Sequence, residues 1–143
     1  MIKYMIGLLM FLFSALVSAS VTYQCFGVTG IELVGKSGVV TTAKFEMDDA
    51  EIIYEFEYSA DNKSLTLSIK NPAVIAPVNT SHSLTVIESS IDRVVASNNI
   101  RGDVWVYSLF TKQPSVVFTH TSWSSRFGET KATTYYSSCE VKD

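Results

Sequence analysis

Alternation with a period of two is the property that most restricts this chain. In Glu51-Ile52-Ile53-Tyr54-Glu55-Phe56-Glu57-Tyr58, the side chains of Ile52, Tyr54, Phe56 and Tyr58 share one side, and Glu51, Glu55 and Glu57 share the other. Successive residues of an extended strand point to opposite faces, so the pattern describes a half-buried antiparallel strand with its glutamates solvated. After the polar stretch Ser59-Ala60-Asp61-Asn62-Lys63, Ser64-Leu65-Thr66-Leu67-Ser68-Ile69-Lys70 alternates again. The two runs form a hairpin, with Asp61-Asn62 suited to the tight turn.

The same reading predicts strands over residues 22–26, 39–47, 83–88, 93–97, 104–110, 115–121 and 132–137, with a short extra one at 31–34. Their separators carry turn chemistry, as in Gly35-Lys36-Ser37-Gly38, Met47-Asp48-Asp49, Asn98-Asn99-Ile100-Arg101-Gly102 and Thr111-Lys112-Gln113-Pro114. Pro72 and Pro77 frame an extended crossover without a full ladder. No segment sustains a helical period. Eight or nine short strands at such spacing predict an all-β antiparallel meander, folded as a small barrel or a sandwich.

Ahead of this pattern stands a stretch of another kind. Met1-Ile2-Lys3-Tyr4-Met5 is followed by apolar Ile6 to Phe13, continuing through Ala15, Leu16 and Val17, and then by Val17-Ser18-Ala19. A positive start, a short apolar stretch and small residues at the cleavage positions are the order of a secretory signal. The apolar stretch is much shorter than the roughly 20 residues of a spanning helix. Residues 1–19 are therefore expected to be a cleaved signal peptide, and 20–143 one exported β domain, periplasmic or extracellular, with no stable membrane insertion. Cys25 follows Val21-Thr22-Tyr23-Gln24, which is not a lipoprotein processing site.

Compartment gives meaning to the two cysteines, Cys25 and Cys139. On the oxidising side of a membrane, two cysteines permit one pairing. A bridge between them closes a loop over nearly the whole exported domain, and chain entropy gives about 4–5 kcal/mol for a loop near 100 residues. It would also join the first and last strands, as barrel closure requires.

Function is far less legible. The net charge is −3, and removal of Lys3 with the leader makes it more negative. The basic residues are scattered singly, which disfavours nucleic acid, since phosphate neutralisation needs clustered cations. Neither His82 nor His120 has a ligand-type neighbour at zinc spacing; His82 reads as a solvated loop residue and His120 as a strand-end residue. Asp48-Asp49 with Glu51 lacks the order of a calcium loop. No serine sits in a nucleophile turn and no glycine-rich phosphate loop occurs, so neither catalysis nor a cofactor is expected. Asn62-Lys63-Ser64 and Asn79-Thr80-Ser81 match the glycan-acceptor pattern.

Aromatic placement supplies the remaining signal. Trp105 and Tyr107 lie on one side of their strand and Val104 and Val106 on the other. Apolar residues on both sides predict a central strand or one facing a cavity. Thr121-Ser122-Trp123-Ser124-Ser125-Arg126-Phe127-Gly128 is too polar for a buried strand and too aromatic for an idle loop. Trp and Arg anchor interfaces, so Trp123, Arg126 and Phe127 are candidate binding residues, beside Trp105 and Tyr107 for a ligand in the interior. The expected function is a non-enzymatic binding protein for a protein, glycan or apolar ligand, with an exported enzyme inhibitor or stress factor working through a surface loop as the alternative.

Overall fold

The computed structural model describes residues 20–37, 39–47, 52–61, 63–71, 80–100, 102–124 and 129–142. The strands are β1 (Ser20–Lys36), β2 (Val39–Met47), β3 (Ile53–Ser59), β4 (Ser64–Lys70), β5 (Thr80–Ser89), β6 (Arg93–Ile100), β7 (Asp103–Phe110), β8 (Ser115–Ser124) and β9 (Glu129–Lys142). They form one antiparallel sheet in the order β2-β1-β3-β4-β5-β6-β7-β8-β9, closed by a further pairing of β1 with β9. The fold is a barrel and not a sandwich. The leader, the 72–77 crossover, Asp48, Asp49, Glu51, Asn62, Asn79, Arg126 and Phe127 lie outside the described residues.

The expected strands at 22–26 and 31–34 are one strand of 17 residues. What joins them is a bulge between Phe26 and Thr29, where Gly27 takes φ +61°, a conformation that costs a glycine little. The bulge opposes two β1 residues to one of β9 and re-aims the strand without ending it. Its freed carbonyl is not left unpaired: the Ser137 hydroxyl, 1% exposed, donates to Phe26 O at 2.9 Å. At the β3–β4 hairpin, the left-handed residue is Lys63, at φ +47°.

β1 is long enough to carry two partners on one edge. Residues 20–25 pair with β3 and residues 28–36 with β2, while β9 runs along the other edge over both. The arrangement therefore departs from a plain meander, and β2 stands outside the closed ring. A circuit leaving β1 at Val21 passes Tyr58, Leu65 and Leu84, then from Thr85 through Ser97, Val106, Thr119 and Thr134 to Ile31. That stagger is the shear which closure of tilted strands imposes.

The interior is filled by alternate residues of every ring strand. Phe56, Leu65, Val94, Leu109 and Val116 are each 0% exposed. Cys25 and Cys139 face each other directly in the β1–β9 ladder and are bridged, with a sequence separation of 114. Replacing both cysteines by serine is expected to lower the unfolding free energy by about 2–5 kcal/mol, read from urea denaturation of the oxidised and the variant protein. An unchanged midpoint would show that the ladder closes the barrel unaided.

Candidate functional site

Deep in the barrel the inward side chains are apolar; toward the end where β7 begins and β8 ends the inward positions turn polar. Alternation continues past the core residues Tyr107 and Leu109 to Trp105 and Asp103 on β7, and past Val116 and Phe118 to His120 on β8. Cross-strand pairing then levels these with neighbours: Asn98 is opposite Trp105, Trp105 opposite His120, His120 opposite Thr133, and Thr133 opposite Glu32. One step further out, Ser122 is opposite Lys131.

Aromatic rings pack directly beneath these polar positions. Trp105 and His120 stack with centroids 4.0 Å apart at 12°, and Phe118 and Tyr135 with centroids 4.6 Å apart at 15°. Tyr107 lies below, 6.3 Å from Trp105 and edge-on to Phe56 at 5.8 Å. Burial, and after it the neighbouring Tyr54, push the Tyr107 phenol up to about 12. Tyr107 belongs to the buried core, and Trp105, partly buried, packs against it.

Above these rings the groups are charged or hydrogen-bonding. His120 Nε2 approaches Asp103 Oδ2 at 3.6 Å, too far for a hydrogen bond, and is a buried nitrogen with no hydrogen-bond partner among the described residues. An unsatisfied buried nitrogen is costly and calls for a water or ligand group. Lys131 Nζ lies 3.7 Å from Glu32 Oε1 across the β9–β1 ladder. Among the described residues, no group of three or more His, Cys, Asp or Glu could hold a metal, and no helix is long and apolar enough to cross a membrane.

The sequence candidates are separated by the fold. Strand β8 runs on through Ser124, so Trp123 belongs to a strand and not to a loop, and it stands 68% exposed on the outer face. Its position is odd relative to His120, which places the two tryptophans on opposite sides of the sheet. His82 is not a solvated loop residue: it lies in β5, half-buried opposite Leu67. His120 is not at a strand end. Asn98, Asp103, Lys131 and Glu32 were not singled out from sequence. Extending the alternation from Tyr107 and Tyr135 to the ends of their strands would have found Asp103 and Lys131, whereas Glu32 was hidden by the bulge.

A second polar cluster lies outside, over the seam where β9, β1, β3 and β4 meet. Glu55 points outward as expected, yet it is only 9% exposed because Lys70, Lys142 and Gln24 cover it. Burial by itself would raise its pKa; hydrogen bonds from Lys70, Gln24 and Lys142 outweigh that and hold it at about 2, against an ordinary 4.5. A lowered folded-state pKa contributes stability that is complete above the unfolded value and lost as pH falls through the folded one. Stability should therefore fall between about pH 4.5 and 2. The loss is on the order of 2 kcal/mol, allowing for solvent screening of the part-exposed lysines. In Glu55→Gln this part of the pH dependence should be absent from urea melts; an unaltered profile would assign it to other carboxylates.

No protein-family model, curated protein sequence or solved structure is significantly similar to the chain.

Proposed function

We propose that this chain is an exported, non-enzymatic binding protein that takes a sugar ring or short glycan at the polar end of its barrel, beside Trp105 and His120. The carrying observation is the His120–Trp105–Asp103 arrangement: a buried, unpartnered ring nitrogen beside a stacked indole and a half-exposed carboxylate. A sugar offers a C–H face to aromatic rings and a rim of hydroxyls that both donate and accept. His120, Asp103, Asn98, Glu32 and Lys131 supply both kinds of partner around those rings. Hydrogen-bonding and charged groups gathered beside stacked rings suit a polar ligand better than an apolar one. In a Ser-His-Asp arrangement the serine hydroxyl sits at the histidine Nε2, and here Asp103 Oδ2 lies 3.6 Å from that atom. The disulfide supports the exported compartment.

The surface-loop alternative also has an observation of its own. At the β5–β6 turn, Ile91 is 85% exposed, while Thr111 Oγ1 donates to its carbonyl at 2.7 Å and Ser90 Oγ accepts from Arg93 N at 3.1 Å. A rigid turn presenting one apolar side chain suits insertion into an enzyme cleft.

Trp123→Phe leaves Trp105 as the sole tryptophan reporter. Titration of this variant with chitotriose, maltotriose and cellotriose should give a saturable fluorescence change with at least one sugar. Asp103→Ala should weaken that binding by about tenfold or more, as expected for loss of a charged hydrogen bond, with Ile91→Asp leaving it unaltered. No response to any of the three sugars would sink the glycan reading. Loss of the response in Ile91→Asp would move the site to the turn.

A further inference from the structure

The outer surface of the barrel is divided into two chemically different halves. Outward positions on β3 to β6 include Glu57, Lys70, Ser83, Thr85, Arg93 and Asn99. Those on β7, β8, the upper part of β9, and β1 beyond its bulge are aliphatic, aromatic, Ser or Thr. Pairing places these in continuous rows: Val104-Thr121-Ala132-Leu33-Thr42, and Val106-Thr119-Thr134-Ile31-Lys44. Lys44 sits at the far rim, on β2. Ile31 is 45% exposed, Leu33 43%, Val104 39% and Val106 37%. At the upper end Trp123 and Val40, each 68% exposed, extend the same face.

We infer that this neutral face is covered by a second copy of the chain, packed sheet to sheet about a two-fold axis. Strands lie about 4.8 Å apart and outward residues about 6.6 Å apart, so a five-strand face measures ~20 × 25 Å. Side-chain relief brings its accessible area to roughly 700 Å², close to the ~800 Å² each partner contributes to a standard interface. Electrostatics favours a copy over other occupants. The chain carries a net charge of −3, so two copies repel wherever their charged surfaces meet. Across β7, β8, the upper part of β9 and β1 this face carries no charged residue, and Lys44 and Glu46 on β2, at the register positions of Ile31 and Thr29, put one charge of each sign at its rim, which removes that penalty. Anionic lipid or nucleic acid would require clustered cations, and the lone Lys44 at the rim does not supply them. A two-fold arrangement sets the same patch against itself and closes at two copies, so it does not propagate into fibres. The residues of the proposed ligand site lie on the inward side of these strands, so this inference stands independently of the ligand reading.

Sedimentation velocity of the oxidised protein over a range of micromolar concentrations tests it. The expected result is a reversible dimer. Val106→Lys and Ile31→Lys, each placing a cation in the centre of the face, should raise the dimer dissociation constant at least about tenfold. Thr85→Lys, on the polar half, should leave it unchanged. Melting curves check that each variant is folded, and Trp123→Ser provides a milder change at the rim if a lysine variant unfolds. A protein monomeric throughout this range overturns the inference, as does a dimer weakened equally by Thr85→Lys or unaffected by the face variants.

Discussion

Closure of β1 on β9 is the constraint on which the rest of the molecule depends. Cys25 and Cys139 face each other in that ladder and are joined covalently, while Glu55 draws Lys70, Lys142 and Gln24 across the outside of the same seam. The inner link restricts the unfolded chain; the outer one is electrostatic and needs an ionised carboxylate. Between them the Gly27 bulge lets β1 continue to Lys36, with the Ser137 hydroxyl satisfying the carbonyl it frees. Had β1 stopped at the bulge, β2 would have no strand to pair with and Glu32 would not stand opposite Thr133.

The stagger of the ring produces both functional proposals from the same strands. Inward residues of β7, β8, β9 and β1 meet at one level, setting polar groups above aromatic rings. Outward residues of those strands meet at the same levels to make a neutral sheet face. A strand in a closed ring ordinarily buries one side only, so apolar residues on both sides of β7 are more than packing requires. Val104 and Val106 remain exposed within a single copy, which is why their surroundings matter for association. Small-ligand binding and self-association would thus be carried by opposite faces of one sheet and could occur together.

Much of the core was legible before the tertiary structure. The alternation in Glu51–Tyr58 and 64–70 correctly placed Phe56, Leu65 and Leu67 inside, and the expected pairing of the two cysteines, Cys25 with Cys139, is present. Glu55 was read as an outward residue but not as a covered one, because its lysines come from β4 and β9. His82 and Trp123 were misassigned to loops for a related reason. Ser, Thr and His at strand ends look like loop chemistry until neighbouring strands supply a ladder.

What the sequence by itself determined was the side of the sheet each residue would occupy, since the two-residue period of a strand is a local property. It also bounded the topology through the cysteines at the two ends of the β domain. What only the tertiary structure decided was level: which inward residues, far apart in the chain, would stand beside one another around the ring. His120, Trp105, Thr133 and Glu32 are neighbours because of shear and one bulge, and both depend on pairings between distant strands. Alternation is indifferent to such shifts by two residues, so the site could not be assembled until the barrel had closed.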